Sequence, residues 1–279
     1  MSRFAPDWLA LREPADLAAR NKNVLAACAH AFAGHSSLNI CDIGSGTGAS
    51  VRAFAHLLPP IQNWTLIDHD AENLARASHE LTSWANTATH SDDNLLLQHG
   101  PLRITVRTQQ CDLAARPDCW PIDTELVTAS ALFDLTSEIW IAQFVAALQA
   151  RQLSLLATLT FDGAMQCEPP HHGDAAIRES FLLHQMRDKG FGPAAGALAV
   201  RCLENELKKQ GYTLTTGESP WLLDRSAQAL LDETLDGISN AASETGNVTH
   251  AEVLEWRRKA KGSIRSLKIG HCDIFAQPL

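Results

Sequence analysis

The chain has 279 residues, 45% of them hydrophobic and 20% charged, enough to bury a substantial core as one large domain or two small ones. Its 23 Lys and Arg against 32 Asp and Glu give a formal charge of −9, which argues against a phosphate-backbone partner held by bulk charge and so against nucleic acid. No segment is long and apolar enough to span a bilayer, Met1 to Leu11 lack the apolar core of a signal peptide, and the seven cysteines include no C-x-x-C pair. A soluble, cytoplasmic protein with reduced thiols and no membrane partner is expected.

Residues 1–37 read as a helical cap: Leu9, Leu17, Val24, Leu25 and Ala29 form an apolar stripe at helical spacing between Pro6 and Phe32. A first strand, Leu38 to Ile43, runs through Asp42 into the alternating glycines Gly44, Gly46 and Gly48, and a helix follows from Ala49 to Leu58 until Pro59-Pro60 stops it. Such a loop suits a nucleotide-type ligand. An acid at Asp42 would repel a pyrophosphate at the helix N-terminus and suits a cation or an amine instead. The looser pattern G-x-G-x-x-A, met by Gly44, Gly46 and Ala49, leaves an NAD-dependent oxidoreductase as a rival reading.

Trp64 to Asp68 reads as a second strand and Ala71 to Trp84 as a helix, followed by a polar loop from Asn86 to Asn94. Leu102, Ile104 and Val106 alternate with polar residues in a half-buried third strand that reaches Asp112. The runs Leu126 to Phe133 and Leu153 to Phe161 are continuously apolar, as central parallel strands are, and Ile141, Phe144, Val145 and Leu148 give the helix between them one buried face. Residues 162–197 then form an insertion dense in reactive groups, including His171, His172, His184, Arg187, Asp188 and Lys189, read as a lid or acceptor-binding element. Cys167 with His171 and His172 falls short of a structural zinc set, so no metal is expected. A helix from Leu198 to Gln210, a strand from Tyr212 to Gly217, a helical hairpin over residues 223–263 and a last strand from Ile269 to Phe275 complete the chain. Alternation of strand and helix implies a doubly wound α/β sheet covered on both faces.

The motif D-I-G-S-G-T-G at residues 42–48 resembles the first motif of class I methyltransferases that use S-adenosylmethionine, and three later strand ends continue the resemblance over residues 38–161. It implies one domain, with a seven-stranded, mostly parallel sheet, an antiparallel last strand, and helical insertions after strands five and six. It also implies a donor site: Gly44, Ser45, Gly46 and Gly48 shape the loop, Asp42 neighbours the methionine amino group, Asp68 chelates ribose, His69 flanks adenine and Asp112 reads it, with Leu113 and Ser130 alongside. S-adenosylmethionine would give up its methyl to an in-line nucleophile and leave as S-adenosylhomocysteine. His184, Asp188 and Asp134 are the candidates for a general base, and Asp134 equally for binding the methionine end or capping the helix near Ser137.

The acidic charge and the insertion favour a small-molecule acceptor. The readings as a protein or RNA methyltransferase, or as a non-catalytic subunit that binds the donor, stay open. Ser130-Ala131-Leu132-Phe133 stands where an N-P-P-Y-like tetrad would serve amino-group transfer. Arg187 to Pro193 is similar to segments of uncharacterised bacterial methyltransferases and names no acceptor; homodimerisation is left open too.

Overall fold

A computed structural model of the chain describes residues 5–91 and 93–279. Five parallel strands form the centre of one sheet: β1 (Ser37–Ile43), β2 (Ile61–Asp68), β5 (Leu102–Gln110), β6 (Leu126–Ser130) and β7 (Ser154–Glu168). Antiparallel strands extend it at both edges. On one side lies the hairpin β3 (Thr87–Ser91) and β4 (Asn94–His99); on the other, β10 (Ser266–Pro278) pairs with β7, β8 (Tyr212–Glu218) and the short β9 (Trp221–Asp224). The order is β3-β4-β5-β2-β1-β6-β7-β10-β8.

Two sequence-based expectations, the strand count and the end of the fifth parallel strand, are corrected here. The sheet has ten strands among the described residues where seven were expected, because the stretch read as a loop opens a hairpin over residues 87–99 and β9 adds a short edge strand. Polarity concealed the hairpin: β3 is almost wholly solvent-facing, and only Leu95 and Leu97 of β4 turn into the core. The fifth parallel strand continues past Phe161 to Glu168, because residues 165–168 pair with 266–269 of β10. Residues 6–32 form two helices, α1 (Pro6–Ala19) and α2 (Lys22–Phe32), separated at Arg20 and Asn21.

Helices cover both faces. α2, α3 (Ala49–Phe54) and α4 (Ala71–Trp84) pack on one face around Leu38, Trp64 and Phe54. α5 (Glu138–Ala150) and α7 (Ala199–Lys209) pack on the other around Phe133, Phe144 and Leu203. A third apolar cluster, centred on Trp256, Leu235 and Leu267, joins α6 (Asp174–Gln185), α8 (Gln228–Thr245) and α9 (His250–Ser263) to the extended ends of β7 and β10. α9 begins with a capping box in which Thr249 and Glu252 satisfy each other's backbone donors.

One buried carboxylate ties the edge of this sheet to the N-terminal helices. Asp273 of β10 is fully buried, and it accepts from the backbone N–H of Asn21 (2.7 Å), the backbone N–H of Leu159 (2.8 Å) and the Ser219 hydroxyl (2.6 Å). Asn21 in turn caps α2 by accepting from Asn23 and Val24 and donates to the Glu218 carbonyl. Asp273→Ala removes the acceptor shared by these three donors. We expect it to lower unfolding free energy by roughly 3 kcal/mol or more, since each unsatisfied buried donor costs about 1–3 kcal/mol; urea denaturation followed by circular dichroism measures the loss.

Candidate active site

Strand order reverses between β1 and β6, and in open α/β sheets the crevice at such a switch point, outside the C-terminal strand ends, is where ligands bind. A cavity lies there. The loop after β1 forms its floor: Gly44, Gly46 and Gly48 all have positive φ, the Ser45 N–H donates to the Ile67 carbonyl (3.0 Å), and the Gly46 N–H donates to Asp68 Oδ2 (2.9 Å). A Cβ at Gly46 would stand 3.1 Å from Leu9 Cδ1 of α1, a tight contact at a position whose positive φ already favours glycine. Asp68 Oδ1 accepts from the Asp70 N–H (2.9 Å) and lies 3.2 Å from His69 Nδ1. A carboxylate has about four acceptor positions, so Asp68 keeps capacity for further hydroxyl donors from the cavity.

α1 closes one side of this cavity with Leu9, Arg12, Asp16 and then Arg20. It is fastened to the glycine loop by Arg52, whose guanidinium pairs with Glu13 (2.6 and 2.7 Å) and donates to the Thr47 carbonyl. Arg20 is 6% exposed; its Nη1 donates to Thr158 Oγ1 (2.5 Å) and to Ser130 Oγ (3.4 Å), and the guanidinium carbon lies 4.6 Å from the centroid of the Phe54 ring. Its Nε has no partner. Burial lowers the Arg20 pKa against the opposing pull of Asp16, Asp273 and Asp42, and the residue places a buried cation in the cavity wall.

A second cavity of about 550 Å³ adjoins the first, and Arg12, Ala131, Leu135 and Lys189 line both. Its walls are aromatic at Trp8, Trp221, Phe161 and Phe181, while α8 contributes Ile238 and Ala241 together with the polar Glu233, Asp236 and Asn240. Two wall residues, Ala131 and Leu159, hold left-handed backbone (φ 52° and 56°), a conformation that survives where surrounding contacts over-determine it and that recurs at ligand sites. Asp134 and His271 supply unpartnered buried atoms, Oδ1 and Nδ1. Burial pushes the Asp134 carboxyl up to about 6, against the pull of Arg12 and Lys189, and burial pushes the His271 imidazole down to about 3, so His271 is neutral. Burial also lowers the Lys189 pKa.

The structure gathers Gly44, Ser45, Gly46, Asp68, His69, Leu113 and Ser130 around the first cavity, and Asp134 and His184 around the second. Four predicted residues line neither. Asp42 lies beneath the loop, 1% exposed, accepting from the Thr128 hydroxyl (2.6 Å). Gly48 faces Ala77 and Leu81 of α4. Asp112 is exposed and caps its own turn through the Ala114 N–H (3.0 Å). Asp188 is exposed and accepts from the N–H groups of Gly190 (2.6 Å) and Gly192 (3.0 Å), which gives it a loop-forming role. His184 lines the second cavity while its Nε2 engages Glu244 at 3.1 Å. Sequence reasoning passed over Arg20, Lys189 as a wall of both cavities, and His271. The interrupted helical pattern at Arg20-Asn21 was the available signal for the first; the other two had none.

No protein-family model matches the sequence, and a search of curated proteins finds no relative. Among solved structures, a cyclopropane-fatty-acyl-phospholipid synthase-like protein from Lactobacillus casei is similar at a TM-score of 0.54 and 13% identity, over 99% of this chain and 94% of that one. The YcgJ protein from Bacillus subtilis is similar at a TM-score of 0.52 and 13% identity, over 92% of this chain and 99% of that one. At such identity the likeness is one of fold. With five parallel strands in the order β5-β2-β1-β6-β7 and the antiparallel β10 inserted between β7 and β8, this is the Rossmann-like fold of class I methyltransferases.

Asp42 makes the pH dependence of stability testable. Burial raises its carboxyl to about 7 from an ordinary 3.8, so the folded protein holds this proton more tightly than the unfolded chain. That contribution is complete below the ordinary carboxylate range and is lost as pH rises through about 7. Asp42→Asn keeps an acceptor for Thr128 and cannot ionise. Its unfolding free energy is expected to gain on the wild type by a few kcal/mol across that window, at about 1.36 kcal/mol per pKa unit; parallel curves in a pH series of urea denaturations would contradict this.

Proposed function

We propose that the chain is a methyltransferase that uses S-adenosylmethionine as donor and a small molecule as acceptor. One observation carries the reading: a donor-type cavity with a carboxylate at one wall and a buried cation at the other opens directly onto a second, apolar cavity. When bound, the donor supplies an electrophilic methyl on a sulfonium. Asp68 is suited to the ribose hydroxyls, Leu113 to an adenine face, and the Arg20 guanidinium to the methionine carboxylate. His69 stands beside Asp68, and Ser45 offers a buried hydroxyl without a partner.

The dinucleotide alternative is weakened by the same loop. The Gly46 N–H, which would face a pyrophosphate, is already committed to the Asp68 carboxylate, and a second acid, Asp42, lies underneath. Asp134 is the favoured general base, because its carboxyl lines the second cavity close to where that cavity meets the first, whereas Asp188 lines neither. Alignment of two reactants in adjoining cavities can itself supply up to about 7–11 kcal/mol of the barrier.

Calorimetric titration with S-adenosylhomocysteine, 5′-methylthioadenosine and NADH tests this. We expect the first two to bind and NADH not to; binding of NADH alone overturns the reading. Arg20→Ala is expected to weaken S-adenosylhomocysteine by at least about tenfold, the scale of one charge-assisted hydrogen bond, and to leave methylthioadenosine, which lacks the amino acid, nearly unchanged. Equal weakening of both ligands would remove Arg20 from the carboxylate site.

A further inference from the structure

The second cavity carries a chemical signature that narrows the acceptor. We infer that it takes an aromatic hydroxyl compound, a phenol or hydroxy-heteroaromatic, with the ring between the tryptophan and phenylalanine walls and the hydroxyl between Asp134 and Lys189. The inference rests on the methyltransferase reading and deepens it.

Shape and size come first. A volume of about 550 Å³ is in the ordinary range for small-molecule pockets, and four aromatic side chains on three different layers of the fold face it: Trp8 of α1, Trp221 of β9, Phe161 of β7 and Phe181 of α6. Trp8 and Trp221 meet edge to face, with centroids 6.4 Å apart. Such walls favour a flat π system, which gains directional aromatic contacts beyond its buried area.

Charge decides which group of the acceptor faces the methyl donor. Arg12 is already neutralised by Asp16, to which it donates at 2.9 and 3.1 Å, and its guanidinium lies over Trp221. Lys189 lies in reach of His184 Nδ1 (3.5 Å) and has no carboxylate within ion-pair distance among the described residues. Glu233 and Asp236 also line the second cavity, Asp236 already paired with Arg257 and Lys261 (2.7 Å each), and at the junction itself a substrate ammonium would meet that of Lys189. A hydroxyl meets a carboxylate that can take its proton and an ammonium that stabilises the oxyanion as it forms. His271, held neutral by burial, adds no charge to this cavity wall.

The step balances. Asp134 takes the hydroxyl proton, the oxygen lone pair forms the new O–CH3 bond, and the C–S bond breaks with its electron pair returning to sulfur. The donor's positive charge is thereby discharged, and the proton on Asp134 passes to solvent. Because the Asp134 carboxyl titrates near 6, the base is ionised at neutral pH and its conjugate acid releases the proton readily.

The test reads binding as well as turnover. With the protein saturated in S-adenosylhomocysteine, ligand-observed NMR compares three matched sets: phenols and naphthols, anilines and naphthylamines, and saturated cyclic alcohols. The aromatic hydroxyls are expected to bind at least about tenfold more tightly than both other sets, and 2-naphthol more tightly than 2-methoxynaphthalene. Asp134→Asn and Lys189→Met, checked for wild-type binding of S-adenosylhomocysteine, should erase the preference for naphthol over its methyl ether. Amines or saturated alcohols that bind as well as the aromatic hydroxyls overturn the inference, as does a naphthol preference untouched by both variants. Failure of the wild type to bind S-adenosylhomocysteine at all removes the methyltransferase reading itself; binding without hydroxyl selectivity removes this inference alone.

Discussion

Much of this molecule depends on a carboxylate that touches neither cavity. Asp273 binds the Asn21 N–H, the Leu159 N–H and the Ser219 hydroxyl, and each of these partners adjoins or occupies a wall. Asn21 follows Arg20, so the hydrogen bond fixes where the buried guanidinium emerges from α1. Leu159 is the left-handed residue of the second cavity, and Ser219 turns the chain from β8 toward Trp221. A charged acceptor with three short donors is stronger than neutral bonds would be, and no water competes for it at full burial. One acid on the antiparallel strand β10 thus sets the relative position of a donor wall and an acceptor wall.

The N-terminal helices show why that linkage matters. α1 belongs to neither layer of the sheet; it lies across the strand ends, held by Arg52 and Glu13 at one point and by Trp221 Nε1 on Asp16 (2.8 Å) at another. Leu9 rests over Gly46, and Arg12 and Lys189 stand where the two cavities meet. The helix is a shared partition. Its Arg12, Glu13 and Asp16 are all paired within the protein.

The strand ends were legible in the sequence because their chemistry is local. A glycine loop after an apolar strand, an acid at Asp68 and a short polar residue at Ser130 each announce themselves within a few residues, and all line the first cavity. The rest is written in contacts across the chain. Arg20 meets Thr158 over 138 positions and Asn21 meets Asp273 over 252, so no spacing rule could join them. The hairpin at residues 87–99 escaped for a different reason: an edge hairpin with one wet face has the composition of a loop, and its apolar alternation is confined to Leu95 and Leu97. Asp188 misled because an acid amid glycines satisfies backbone donors as readily as it serves chemistry.

Asp42 and Asp134 show how two acids raised by the same cause come to different uses. Burial lifts both carboxyls, to about 7 and about 6, and both keep an oxygen without a partner. Access separates them. Asp42 is sealed under the glycine loop between β2 and β6, with Thr128 on its other oxygen, so its proton exchanges with no ligand and its field falls on Arg20. Asp134 sits in the single 3-10 turn after β6, where the strand has ended and the wall of the second cavity begins. A strand interior keeps an acid as a fixed electrostatic element, whereas the turn at its C-terminal end presents an acid to whatever enters. That difference in placement of a few residues along adjacent strands divides a supporting carboxylate from one positioned for proton transfer.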